Sequence, residues 1–172
     1  GEFYWQVPQF QGNKIHANNP VYSEGIIYCS SDNARTNSGL AALKLSADGK
    51  NVTLLWRNET FRNLMGGIIV NGDYIYGARY LKKVWCCIDR LTGTILYTSD
   101  KFSDGNIIMA DDLFYCYSEL GELALVRADH TIFEVISRFR VPLGTDQHWS
   151  HPVIDSGKLY VRHGDALMVY QI

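Results

Sequence analysis

Short apolar runs rich in Ile, Val, Leu and Tyr recur along the 172 residues, separated by clusters of Gly, Asp, Asn and Ser. Runs of this length bounded by turn residues read as strands, and helical spacing of apolar positions is scarce. The pattern therefore predicts a chain that is nearly all β. One arrangement also returns four times: an apolar run, a turn, then a second apolar run. Pro20-Val-Tyr-Ser-Glu-Gly25-Ile-Ile-Tyr-Cys29 lines up with Gly67-Ile-Ile-Val-Asn-Gly72-Asp-Tyr-Ile-Tyr76. Asn106-Ile-Ile-Met-Ala-Asp111-Asp-Leu-Phe-Tyr115 and Pro152-Val-Ile-Asp-Ser-Gly157-Lys-Leu-Tyr-Val161 complete the set.

The turn residues Gly25, Gly72, Asp111 and Gly157 stand 47, 39 and 46 residues apart, which suits one four-stranded sheet per unit. Gly and Asp tolerate the positive φ that a tight hairpin demands. Third strands follow at 39–45, 84–89, 121–126 and 165–170, and fourth strands at 52–57, 94–98 and 132–138. The units span 18–58, 61–100, 101–141 and an incomplete 145–172. Residues 1–11 hold Phe3-Tyr-Trp-Gln-Val7, which resembles a fourth strand preceding unit one. This strand is expected to close the last sheet, because a ring of sheets avoids an open edge.

Unit two carries Cys87-Ile-Asp89-Arg-Leu-Thr92-Gly93-Thr-Ile-Leu-Tyr97. This resembles the quinoprotein type of β-propeller repeat, whose units read Ala-x-Asp-x-x-Thr-Gly-x-x-x-Trp across the third and fourth strands. Unit one keeps the terminal Trp56, Trp5 looks like the terminal Trp of a preceding unit, and unit three has lost the signature around Asp129. The resemblance implies an all-β propeller of four-stranded antiparallel blades, about four of them present. These are half of an eight-bladed ring or a small four-bladed ring. In that fold Asp89, Thr92 and Gly93 shape the turn between third and fourth strands. Trp5, Trp56 and Tyr97 wedge between neighbouring sheets.

Composition narrows the partners. With 16 Lys plus Arg against 18 Asp plus Glu, the net charge of −2 offers no electrostatic footprint for nucleic acid. No apolar run approaches the ~20 residues of a membrane span, and the first residues do not read as a signal peptide. Family resemblance points to an exported or periplasmic bacterial protein. Two triplets, Asn51-Val-Thr53 and Asn58-Glu-Thr60, match the glycosylation sequon, a pattern common by chance. The cysteines at 29, 86, 87 and 116 fit no zinc spacing. Some quinoprotein alcohol dehydrogenases carry an adjacent-cysteine disulfide, but Cys86 and Cys87 fall inside a predicted strand. Their side chains should point to opposite faces as two reduced thiols.

In a propeller the loops leading into first strands and those joining second to third strands share one face. His16, Asn18, Arg62, Asn63, Asp104, Asn106, His148, Trp149 and His151 should converge there around the axis. That mixture suits a polar ligand such as a sugar, carboxylate or quinone. Capping of strand ends around a watery channel explains the same residues. The 30–38 loop is the longest polar run and a further recognition candidate. His148-x-x-His151 lacks the third and fourth ligands of a zinc site. No nucleophile elbow or phosphate loop is present. Asp104 is the sole acid of the loops leading into first strands, which weakens a calcium site.

The leading expectation is a non-catalytic quinoprotein-like module, without a cofactor, that binds a protein partner or polar ligand on its loop face. The resemblance extends to the outer-membrane assembly scaffold lipoproteins of Gram-negative bacteria, which use the fold without a quinone. The alternative is part of a dehydrogenase acting on an alcohol or sugar with pyrroloquinoline quinone (PQQ) and calcium. Expected partners are a second copy of the chain or a missing N-terminal half of the same protein.

Overall fold

Turn chemistry sets the architecture. Both residues of three of the first-to-second-strand turns have positive φ, namely Glu24 and Gly25, Asp111 and Asp112, and Ser156 and Gly157. In the second unit Gly72 alone does so. Such turns match the right-handed twist of paired strands, so each apolar run folds back on the next. The computed structural model describes residues 1–9, 17–31 and 37–172. His16 and most of the 30–38 loop lie outside the described residues.

Among the described residues, fifteen strands form four antiparallel sheets. Blade one runs β1 (Val21–Ser23), β2 (Ile26–Ser31), β3 (Gly39–Leu45) and β4 (Val52–Asn58). Blade two is β5 (Ile68–Asn71), β6 (Tyr74–Arg79), β7 (Val84–Asp89) and β8 (Ile95–Ser99). Blade three is β9 (Gly105–Ala110), β10 (Leu113–Ser118), β11 (Glu122–Ala128) and β12 (Phe133–Arg140). Blade four has three strands, β13 (Val153–Asp155), β14 (Lys158–His163) and β15 (Ala166–Gln171). The one helical element among the described residues is a 3₁₀ turn at Tyr80–Lys82. The fold is thus an all-β propeller arrangement, as the repeat predicts.

Strands alternate their side chains between two faces, so each central blade buries apolar residues on both sides. Tyr28, Leu40, Ala42, Ile75, Cys86 and Ile88 form the core between blades one and two. Tyr76, Trp85, Cys87, Phe114, Cys116 and Val126 form the next. Tyr117, Leu123, Leu159, Val161 and Met168 join blades three and four. Cys86 and Cys87 therefore belong to different cores, and all four cysteines are free thiols. Near the axis the backbones of blades two and three nearly touch. A Cβ on Gly66 would lie 1.9 Å from the Gly105 carbonyl oxygen, so only glycine permits the Ile107 N–H to reach Gly66 O at 3.2 Å.

Wherever a fourth strand is present, a bulge interrupts its pairing with the third, and the residue beside it faces the next blade. Trp56 holds this position in blade one and Tyr97 in blade two. The Trp56 indole N–H donates to Arg90 O at 3.1 Å, just past β7. The Tyr97 hydroxyl donates to Asp129 O and Ile132 O at 2.9 and 2.8 Å, around the turn after β11. Both rings are half-buried wedges against the next blade. Gly93 is explained by the wedge: its φ is +74° and a Cβ would meet the Trp56 ring at 2.4 Å. Asp89 accepts hydrogen bonds from Thr92 N and Oγ1, both at 2.8 Å. Unit three keeps this device despite its divergent sequence, since Asp129 accepts from Thr131 N, Thr131 Oγ1 and Ile132 N.

Within one chain the expected closure is corrected by the structure: Phe3–Val7 does not pair with the last sheet. Residues 1–9 form no strand, and β15 has no partner on its outer side. The segment is held instead by blade one. The Trp5 indole N–H donates to Gly49 O at 3.0 Å, and Arg57 reaches Pro8 O and Gln9 Oε1. These contacts satisfy the segment's polar groups from the side, without a ladder. Trp5 repeats the Trp56 and Tyr97 contact, so it sits where the terminal aromatic of a preceding blade would dock.

Candidate functional site

The axial face is built by the loops that lead into β5, β9 and β13 together with the β10–β11 turn. They enclose a cavity lined by Asn63, Leu64, Met65, Gly66, Ala78, Tyr80, Asp104, Gly105, Asn106, Glu119, His148 and Trp149. About 10 Å³ of it is open to the centre of a water molecule, room for one water. Asn63, Asp104, Asn106, His148 and Trp149 were singled out from sequence and meet here. Asn18 and His151 stand at its edge through their partners, and Arg62 is half-buried beside Asn63 without lining the cavity.

Asparagines act as staples between loops. Asn63, 1% exposed, donates from Nδ2 to Gly67 O at 3.1 Å and Ala78 O at 2.9 Å. Asn18 Nδ2 donates to Asn63 Oδ1 at 2.6 Å, while Asn18 Oδ1 accepts from Gly67 N at 3.1 Å. Asn106 Nδ2 donates to Ser150 O at 3.1 Å. A primary amide offers two donors and an acceptor, so it can satisfy loop backbone that no ladder serves.

Two carboxyl groups share the floor. Asp104 is buried, and desolvation raises its pKa against the opposing pull of the Ser103 hydroxyl and Lys83. Glu119, carried by the turn after β10, is raised by burial and then by the Asp104 charge. Its N–H donates to Asp104 O at 3.0 Å. Sequence reasoning set Asp104 alone. Glu119 sat in a second-to-third-strand loop already assigned to this face, and that placement was the available signal.

The histidines separate. His148 Nδ1 and the Tyr117 hydroxyl lie 2.5 Å apart, and burial of Tyr117 pushes its pKa up to about 12. The His148 ring stacks on His163 at 3.6 Å between centroids. His163 faces two carbonyls, Leu143 O at 2.8 Å and Asp146 O at 2.9 Å. Carbonyls only accept, so both ring nitrogens must donate and the imidazolium is favoured, which raises its pKa. His148 is lowered by burial and then by the His163 charge. His151 Nε2 instead meets Met65 O at 3.2 Å, so His148 and His151 share no point. Among the described residues no three His, Cys, Asp or Glu side chains gather as a metal would require. His163 and Tyr117, near the ends of β14 and β10, were not singled out from sequence, because those strand ends meet His148 only in three dimensions.

Taken with the blade stacking, this face is the axial surface of a β-propeller. No family model and no curated protein matches the chain by sequence. Solved structures do match in fold. BamB from Moraxella catarrhalis superposes with a TM-score of 0.63 at 14% identity, covering 90% of this chain and 43% of that one. The computationally designed Ika4 protein gives 0.63 at 11% identity, covering 100% of this chain and 99% of the design. Quinohemoprotein alcohol dehydrogenase from Comamonas testosteroni gives 0.56 at 12% identity, covering 84% of this chain and 28% of the enzyme. The chain thus spans under half of both natural proteins. At these identities the likeness shows the fold alone.

Proposed function

We propose that the chain is a non-catalytic propeller module of an exported bacterial protein, and that it recognises a protein partner or polar ligand with its axial loop face. One observation carries this reading. The Trp149 indole, 47% exposed, stands beside a floor of stapled asparagines, the buried Asp104 and the half-buried Glu119, whose cavity admits no more than a water. Recognition must then occur on the surface, where an exposed aromatic beside a rigid polar rim makes an anchor. The resemblance to outer-membrane assembly scaffolds supports a protein as the partner. A photo-crosslinking residue at Trp149 should give a discrete adduct in the native host. One at Leu91, in the β7–β8 turn at the opposite end of the blades, should not. Equal adducts from both positions would overturn the assignment.

The quinone reading is favoured by Asp104 and Glu119, two carboxyls at one floor where calcium would need several oxygens. An absorbance titration with PQQ and calcium distinguishes the readings. We expect no saturable change, and micromolar binding would replace the first reading with a segment of an alcohol or sugar dehydrogenase.

The open ends belong to the same proposal. Val153, Leu167 and Val169 are 57, 67 and 52% exposed on the face of blade four turned away from blade three. Tyr22 of blade one is 66% exposed, opposite the core-facing Val21. Two copies arranged head to tail would cover both faces and let each Phe3–Val7 segment complete the other's last sheet. A missing N-terminal half of the same protein would fill the same place.

A further inference from the structure

Trp149 is carried by residues 141–152, which join β12 to β13 without regular structure. Most of that loop is exposed, so side chains from other elements must hold its backbone. His163, at the end of β14, holds two points of it, the carbonyls of Leu143 at 2.8 Å and Asp146 at 2.9 Å. Thr145 Oγ1 adds a bond to Asp165 Oδ1 at 3.1 Å, and Asn106 ties Ser150 O. Between Asp146 and Ser150 the loop is fixed by His148, whose ring lies on His163 at 3.6 Å between centroids and 20° from parallel. The backbone makes room for both rings. A Cβ on Gly121 would lie 2.5 Å from His148 Nε2, and one on Gly144 would lie 2.7 Å from His163 Nδ1.

The stack accommodates one positive charge. His163 needs both ring N–H groups to serve its two carbonyls, and the exposed carboxylates of Asp146 and Asp165 favour its charge. A second proton, taken from solvent by His148, would set two imidazolium rings face to face. Arg140, at the end of β12, opposes that proton as well. The Tyr117 hydroxyl can turn its bond around to accept from a charged His148, but it brings no negative charge. Asp104 and Glu119 line the same cavity as His148, with carboxyls that burial keeps from ionising readily. We infer that His148 and His163 form a one-proton clamp on the 141–152 loop, which holds Trp149 in its binding position near neutral pH and releases it in acid. The consequence for binding rests on the reading of Trp149 as the anchor: partner capture at the axial face is then gated by pH. Burial and the His163 charge hold His148 below the ordinary imidazole value of about 6.5, so its contribution to loop order is present above that value and lost as pH falls through the folded one. The two carbonyls hold His163 above it, so its contribution is complete below about 6.5 and lost as pH rises through the folded value. The loop is therefore held best between the two.

A pH titration of the whole chain, followed by NMR of the histidine rings and tryptophan indoles, reads the clamp without any partner. The His148 and His163 rings should titrate on opposite sides of the ordinary value, and the Trp149 indole and the amides of the 143–149 segment should shift or broaden with the His148 midpoint. In H163Q, which removes the charge, the His148 midpoint should rise towards the ordinary value. In H148F, which keeps a ring in the stack and cannot take a proton, the acid response of the Trp149 indole should be lost. If H148F does not fold, H148Q serves in its place with the same expected loss. Rings that titrate together at the ordinary value, or an unmoved His148 midpoint in H163Q, overturn the clamp. So does an acid response of Trp149 that persists without His148, which would assign it to Asp104 or Glu119. Because no partner enters, failure here leaves the Trp149 anchor standing, and a working clamp with no adduct at Trp149 would sink the anchor alone.

Discussion

At the scale of single residues, the repeat is a contact between one aromatic ring and one backbone turn. Trp56 fills the groove above Gly93 and ties its indole to Arg90, so truncation removes packing and a hydrogen bond together. Trp56→Ala should cost about 2–3 kcal/mol in chemical denaturation, below the range for fully buried rings because this one is half-exposed. A loss under ~1 kcal/mol would show that the wedge does no packing. The cysteines make a second case. Desolvation pushes Cys86 up to about 12 and Cys87 up to about 11, and Cys116 well above its ordinary value. The thiolate is the reactive form, so alkylation of the folded protein near about pH 8 should spare these three and modify the half-buried Cys29 first. Mass spectrometry of the labelled chain reads this directly, and rapid labelling of Cys87 would contradict the packed strand.

At the scale of the element, the turn between third and fourth strands is where sequence signature and structure meet. Asp89 holds its carboxylate below the usual range because Thr92 donates to it from side chain and backbone. A depressed folded-state pKa contributes stability above the unfolded value of about 3.9 and loses it as pH falls through the folded value. The gap in denaturation midpoint between wild type and Asp89→Asn should therefore be widest near neutrality and close in acid. A gap independent of pH would exclude the ionised carboxylate as its source. Gly93→Ala tests the same turn. Positive φ alone costs an alanine about 1–2 kcal/mol, and the clash with the Trp56 ring adds to it. In a Trp56→Ala background the clash disappears, so the two losses should sum to more than the double variant shows. Strict additivity would mean that ring and turn do not touch.

At the scale of the whole molecule, the unanswered surfaces lie at the two ends of the blade stack. No buried cluster among the described residues joins blade four to blade one, whereas each sequential pair of blades has its own. Trp5 already occupies on blade one the place that Trp56 occupies on blade two. Light scattering should accordingly report a particle of twice the 19.5 kDa chain mass. Removing residues 1–8 should shift it towards a single chain. A 19.5 kDa particle that is unchanged by the deletion would exclude pairing between copies.

Strand existence, the four-unit repeat and the glycine and aspartate turns were legible in the chain because they depend on local conformation and on alternation with a period of two. The signature in unit two was legible for the same reason, since Asp89, Thr92 and Gly93 act within one turn. Unit three escaped notice because Asp129 performs the same bonding with different neighbours, and only geometry reveals equivalence of that kind. The axial loops could be assigned to one face from topology, yet the meeting of Asp104 with Glu119 and of His148 with His163 depended on how separate blades lean together. Tertiary structure also decided the fate of Phe3–Val7. Alternation within that segment marks it as able to pair, but whether it pairs depends on which edge lies beside it; within one chain its side chains rest on blade one and it pairs with no strand edge.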